Sequence, residues 1–232
     1  MLELNSQSQS CLTCKRKSPL FSLLSNEELS LINKSHCQVN YRAGEIIRKQ
    51  GATLNHVISV TGGLCKMYIE GKERRDVILR IITPTNFIGG PGLFVDLKHH
   101  FTLSAIIDTT VCFIDSQVFR QVMDNNTDFA NMFMEDMSKN MVSVFNRIIS
   151  LTQKQMAGRL ADALIYFSEN IFNSSTFNLP MSKQEIADYT QMSKDNLVRI
   201  MRSFNTENII DQEGDNYAII NMEKLKYISS TG

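Results

Sequence analysis

Residues 181–211 read MSKQEIADYTQMSKDNLVRIMRSFNTENIID, and this stretch decides the fold. Ser182 and Glu185 have the S-x-x-E spacing of a capping box, in which each side chain satisfies one unpaired amide at a helix start. They open a helix that turns Ile186 and Ala187 inward. Ser193 offers a second N-cap a few residues later, ahead of Leu197, Ile200, Met201 and Phe204 at helical spacing. Two capped helices joined by a tight turn predict a helix-turn-helix. Beyond them NIIDQEGDNYAIINM reads as a hairpin turning at Gly214-Asp215-Asn216, the wing of a winged helix.

The outer face of the second helix carries Asp195, Arg199 and Arg202, with Lys194 and Asn196 at its N-terminal end. Arg and Asn can make paired hydrogen bonds to base edges in a major groove, Asp can accept from a cytosine amine, and Lys can neutralise phosphate. The expectation is sequence-specific binding of double-stranded DNA. From Met181 to Gly232 there are six Lys or Arg against eight Asp or Glu, so charge alone does not make the case. A β-rich module that regulates a partner protein instead of DNA is the competing non-enzymatic reading. The agreement of caps, turn, polar face and hairpin favours DNA.

Upstream, GRLADALIYFSENIF reads as an amphipathic helix, followed by the loop NSSTFNLP. Before it, from Gln117 to about Ser150, Met134, Met137, Met141, Val144, Ile148 and Leu151 alternate three- and four-residue spacings on one long helix. Such a stripe is buried either on its own domain or on a second copy. The helix is long and links two compact regions, which favours a parallel dimer seam. Asn126 and Thr127 supply capping side chains, and Phe129 and Phe133 are expected to pack back on the region before them.

From about Val39 to Asp115, glycines punctuate short β-branched runs: GEIIRKQG, HVISVTGG, LCKMYIEGK, DVILRIIT, NFIGGPGLF and LSAIIDTTVCFI. Short strands at this spacing predict a sandwich or rolled sheet, with the EGKE turn at residues 70–73 closing a hairpin. A chain of 232 residues, 43% hydrophobic and 21% charged, suits two soluble globular domains. No apolar run approaches the ~20 residues of a membrane span, and the polar start MLELNSQSQSCLTC does not read as a secretory signal. A cytoplasmic protein without a membrane role is expected. Five scattered cysteines argue for reduced thiols. His36, His56, His99 and His100 lack metal-ligand spacing, and there is no nucleophile elbow, P-loop or dinucleotide fingerprint, so no catalysis is expected.

Taken in order, GEIIRKQG, HVISVTGGLCKMY, IGGPGLF, the long helix and SKQEIADYTQMSKDNLVRIMRSF resemble the CRP/FNR transcription regulators, named for the cyclic-AMP receptor protein and the fumarate-nitrate reduction regulator. The resemblance runs from about Pro19 to Leu225. It implies an α+β fold: an N-terminal β-roll (double-stranded, jelly-roll-like) sensor domain, a long dimerisation helix and a C-terminal winged helix-turn-helix. The corresponding segments are a cysteine-containing tail at 1–18, the β-roll at 19–117, the dimerisation helix at 118–152 and the DNA-binding domain at 153–232. It further implies a homodimer on a palindromic operator, with RNA polymerase as partner. Lys194, Asp195 and Arg199 fall on the family's base-reading positions. Ser182, Lys183 and Gln184 fall where the first helix approaches phosphate, and Ser193, Asn196 and Arg202 complete the candidate DNA face.

The resemblance makes IGGPGLF the effector turn, with Gly89, Gly90, Pro91, Gly92, Leu103, Ser104 and Val144 as pocket positions. In cyclic-AMP-binding members this turn carries a Gly-Glu pair and, a little further on, an Arg-Ser pair. Here Gly90 replaces the Glu, Leu103 replaces the Arg, and Val144 stands where such members place a Thr. A buried phosphate without a cation costs several kcal/mol, so the expected effector is apolar or neutral and not cyclic AMP. Cys11 and Cys14 resemble the start of the iron-sulfur motif of the fumarate-nitrate branch, and Cys112 its distant ligand. The next expected ligand is replaced by Pro19 or Leu20, leaving the set incomplete unless Cys37 or a non-cysteine ligand completes it. Redox sensing through a cluster or through thiols at Cys11, Cys14 and Cys112 is the alternative signal.

Overall fold

The computed structural model describes residues 10–71 and 76–232. The end of the EGKE turn lies outside the described residues. Two compact units result: residues 1–70 with 80–142, and residues 71–79 with 143–232.

The N-terminal unit begins with a 3-10 turn at Pro19–Leu23 and helix α1 at Asn26–Lys34. Its strands are β1 (His36–Tyr41), β2 (Ile46–Arg48), β3 (His56–Gly62), β4 (Cys65–Ile69), β5 (Val77–Ile82, whose first three residues are assigned to the other unit), β6 (Phe87–Ile88), β7 (Thr102–Ala105) and β8 (Thr109–Asp115). The short helix α2 (Gly92–Val95) separates β6 from β7. One sheet has the order β1-β8-β3-β6, the other β2-β7-β4-β5. Strand alternation divides the apolar residues between two layers. Ile58, Val60, Ile88, Leu103, Val111 and Phe113 share the cluster inside the roll. Val57, Phe87 and Ile114 share a second cluster with the helices. In that layer Phe119 meets Phe87, Phe129 and Phe133 at centroid distances of 5.7, 5.4 and 5.1 Å. Phe129 and Phe133 are thus buried against this unit, as their spacing predicts.

The sequence reading of one helix from Gln117 onward needs correction. Helix α3 spans Ser116–Asn125, and helix α4 starts afresh at Thr127 and runs to Gln153. Asn126 separates them at φ −128° and ψ 96°, outside helical geometry. Its Oδ1 accepts from the Phe129 amide at 3.0 Å, while its Nδ2 donates to the Leu23 carbonyl and to Glu28. Asn126 therefore caps α4 and fixes the break, because its side chain competes with continued helix for the backbone groups. The boundary between units falls within α4, at Val142 and Ser143.

The C-terminal unit holds the rest of α4, helix α5 (Met156–Tyr166) and a π-helical turn at Phe167–Phe172. Helices α6 (Lys183–Thr190), α7 (Lys194–Thr206) and α8 (Met222–Thr231) follow. The predicted hairpin forms as β10 (Ile210–Glu213) and β11 (Asn216–Ile219), and β9 (Thr176–Asn178) adds a third strand from within the expected loop. Phe172, Phe177 and Tyr217 stack with near-parallel rings, their centroids 5.1 and 5.6 Å apart, which seats the wing. Asp162 on α5 accepts from Ser150 at 2.6 Å, from Lys154 at 2.8 Å and from Ser229, joining α4, α5 and α8. Among the described residues no helix is long and apolar enough to cross a membrane.

Candidate nucleic-acid interface and sensor sites

The two caps read from the sequence hold the helix-turn-helix. Ser182 Oγ accepts from the Glu185 amide at 3.1 Å, and Glu185 Oε2 accepts from the Ser182 amide at 3.0 Å. Ser193 Oγ accepts from the Asn196 amide at 3.2 Å. Between the helices Gln191 takes the left-handed conformation, φ 50°, which reverses the chain without a glycine. Arg159 of α5 donates to the Gln191 carbonyl at 2.9 Å and steadies this turn.

Leu197, Ile200, Met201 and Phe204 of α7 face the core, so the opposite face is presented outward. Lys194, Asp195, Arg199 and Arg202 are exposed there, with Asn196 half-buried and accepting from Arg199 at 3.4 Å. Gln184 is exposed on α6 and donates to Asp188. Lys183 is held differently from its neighbours. Its Nζ donates to the Tyr217 hydroxyl at 2.8 Å and lies 5.0 Å from that ring centre. Burial pulls its pKa down, partly offset by the Asp215 carboxylate. The sequence signals for α6 and α7 did not reveal this link to the wing, because Tyr217 is far away along the chain.

In the β-roll, IGGPGLF closes β6 and forms α2. Gly90 adopts φ +68°, and a Cβ placed there would meet Phe101 Cε1 at 3.0 Å. A Cβ on Gly92 would meet the Lys98 carbonyl oxygen at 1.8 Å, so glycine is required for this approach. Pro91 is exposed, while Gly89 is buried against Phe133 and Leu93. Leu103 is fully buried inside the roll, where the resemblance would need a cation. Ser104 is also buried, and its Oγ has no partner among the described residues. Val144 lies half-buried on the C-terminal part of α4.

Comparison with known proteins finds a match for each of the two regions. The cyclic nucleotide-binding domain matches residues 38–126, and the Crp-like helix-turn-helix domain matches residues 158–228. The chain belongs to the CRP/FNR family. Transcriptional activator protein FnrA of Stutzerimonas stutzeri is 24% identical, covering 77% of this chain and 75% of its own. The cAMP-activated global transcriptional regulator CRP of Salmonella typhimurium is 22% identical over 78% of this chain and 88% of its own. The structure of FixK2 from Bradyrhizobium japonicum shares the fold with a TM-score of 0.78 at 20% identity, over 85% of this chain and 98% of that one. The chain is a DNA-binding transcription regulator of the CRP/FNR type.

This CRP/FNR chain brings Cys11, Cys14 and Cys112 together at one cavity of about 90 Å³ against the outer face of the first sheet. Arg16, Lys17 and Ser59 line it as well. The N-terminal segment is folded here: the Cys11 amide donates to Asn33 at 2.8 Å. Burial, joined by the Cys14 charge, pushes the Cys11 thiol up to about 11. Burial, then Cys11 and Cys14, pushes the Cys112 thiol to about 12. The set does not fit a four-thiolate cluster. The position of the missing ligand falls in the Pro19–Leu23 turn, with Leu20 and Phe21 buried. Cys37 does not line the cavity: Gln38 does, and strand alternation turns its neighbour to the other face. Among the described residues no three His, Cys, Asp or Glu side chains are grouped to hold a metal ion.

Along α4, Met134, Met141 and Ile148 of the predicted seam are exposed. Met137, Val144 and Leu151 are half-buried, and Met137 packs on the N-terminal core. Val142, Phe145 and Ile149 are exposed apolar residues that the heptad reading omitted.

Proposed function

We propose that this CRP/FNR regulator binds a palindromic operator as a homodimer, with the exposed face of α7 entering the major groove. The observation that carries the reading is the outward set Lys194, Asp195, Arg199 and Arg202 on a helix anchored by four core residues. Arg199 is suited to base readout, Lys194 and Arg202 to phosphate and groove edges. The exposed apolar residues of α4 support a dimer, since a stripe of that size needs a covering surface. RNA polymerase is the further partner the family resemblance supports, and a cytoplasmic location goes with this reading. The reading excludes cyclic AMP as effector, supported by Leu103, fully buried in the roll where the resemblance would need the phosphate's partner, and by Phe101 lying close to Gly90. A gel-shift selection from random duplexes tests the reading. Enrichment of an inverted repeat is expected, and absence of any sequence-specific shift at moderate salt would favour regulation of a protein partner.

A second signal reading, redox sensing by thiols, is favoured by the convergence of Cys11, Cys14 and Cys112 on one cavity. Alkylation mapping before and after mild oxidation tests it, with loss of reactivity at these cysteines expected and an unchanged pattern opposing it.

A further inference from the structure

The thiol cavity has a second character that neither a cluster nor a disulfide accounts for. Arg16 and Lys17 line it, and among the described residues no lining side chain carries a carboxylate. Ser59 is 1% exposed, and its hydroxyl has no hydrogen-bond partner among the described residues although it borders the open space. A buried hydroxyl left unpaired costs free energy, and the usual remedy is a ligand or water that accepts from it. The Gln38 side chain can add a further donor. Register explains why these groups meet: Gln38 and Ser59 flank Cys112 on the two strands paired with β8, so all three stand on one sheet face. The segment carrying Cys11, Cys14, Arg16 and Lys17 covers that face.

We infer that this cavity is a binding site for a small tetrahedral oxyanion, held by Arg16, Lys17 and the Ser59 hydroxyl, with the three thiols walling it in. Size restricts the ligand. About 90 Å³ is far below the ~300 Å³ or more of sites for drug-sized ligands. A nucleotide is excluded and an anion of the sulfate or phosphate class fits. Charge selects the sign: two cations facing hydroxyl and amide donors form an arrangement that favours an anion.

The test uses the full chain with sulfate or inorganic phosphate as probe, at constant ionic strength against chloride. Alkylation by a maleimide is followed by mass spectrometry at each cysteine. Millimolar anion should slow labelling of Cys14 and Cys112 by about tenfold, as expected for a ligand well above its dissociation constant, while exposed Cys37 keeps its rate. Ser59→Ala keeps the fold, because it removes an unpaired hydroxyl, and should abolish most of the protection. Arg16→Gln should do the same without touching the core. Equal slowing at Cys37, or protection that survives both substitutions, would overturn the site. Planar nitrate protecting as well as sulfate would overturn the tetrahedral assignment. A visible absorption band in protein purified without air would give the cavity to a metal cluster and defeat the proposal, while leaving the DNA-binding reading intact.

Discussion

Arg147 of α4 lies over the ring of Tyr189 on α6, its guanidinium carbon 3.8 Å from the ring centre. Arg147 is 7% exposed, and its Nε donates to the Ile78 carbonyl at 3.3 Å, within the same C-terminal unit. Gln191, at the end of α6, likewise donates to the Asp76 carbonyl at 2.9 Å. The first helix of the DNA-reading motif is thus tied to both α4 and the residues leading into β5. A desolvated guanidinium on an aromatic face contributes up to about 2 kcal/mol. Arg147→Met and Tyr189→Leu should therefore couple by about 1 kcal/mol or more in a double-mutant cycle of urea unfolding. Additive effects would show that the stacking carries no energy.

At the DNA face, Arg199→Ala should weaken operator binding by about 1 to 3 kcal/mol and relax base preference at one position. Lys183→Ala should act by another route. Its ammonium is held by Tyr217, so its loss loosens the wing and lowers thermal stability as well as affinity for all sequences. Binding titrations on cognate and random duplexes, paired with melting curves, separate the two. A Lys183→Ala protein with unchanged melting and a salt slope reduced by about one would return Lys183 to a phosphate contact.

These contrasts show what the sequence made legible. The S-x-x-E spacing at Ser182 and the cap at Ser193 located α6 and α7 because capping is local chemistry. The same spacing occurs at Ser25 and Glu28, where it opens α1, so that helix was open to the same signal. The cap at Asn126 was legible as local chemistry, but taking residues 118–152 as one helix ran past it, because the bonds from its side chain to Leu23 and Glu28 that fix the break come from far along the chain. Strand β9 was hidden because it is three residues long and is a strand through pairing with β11. The cavity at Cys112 depends on register between β1, β3 and β8, which no local spacing encodes.

The α4 surface predicts distinct outcomes for residues half a heptad apart. Met141→Glu or Phe145→Glu places charge on an exposed apolar face and should convert dimer to monomer in sedimentation velocity. Operator binding should fall with it, since two recognition helices must meet half-sites about one helical turn apart. Met137→Ala should leave assembly alone and cost about 2 kcal/mol of stability at most, because Met137 packs partly buried on the N-terminal core. A Met141→Glu variant that stays dimeric would move the interface away from this face.

Cyclic AMP should give no binding heat at millimolar concentration. Leu103 is fully buried in the roll and offers no charge to a phosphate, and restoring one by Leu103→Arg alone would bury an unpaired cation. That variant should be destabilised by about 3 kcal/mol or more, with no gain of nucleotide affinity. Micromolar binding by the unmodified chain would overturn the assignment of the turn.

His99 should contribute to the acid response of the N-terminal unit. It is 2% exposed, and neither ring nitrogen has a partner among the described residues. Burial, then the charges of Arg48 and His100, lowers its pKa from 6.5 to about 4. Above pH 6.5 the imidazole is neutral in both folded and unfolded chains, and its full contribution to stability is present. As pH falls from 6.5 toward 4 the unfolded chain takes up the proton while the folded one resists, so stability is lost across that window and levels off below it. At about 1.4 kcal/mol per unit, the loss between pH 7 and pH 5 from this one group is about 2 kcal/mol. His99→Leu should flatten that part of the profile while preserving the fold, because the site is apolar beside Phe101. Urea midpoints at pH 7 and pH 5 for both chains decide it. An equal acid loss in His99→Leu would place the sensitivity on other groups.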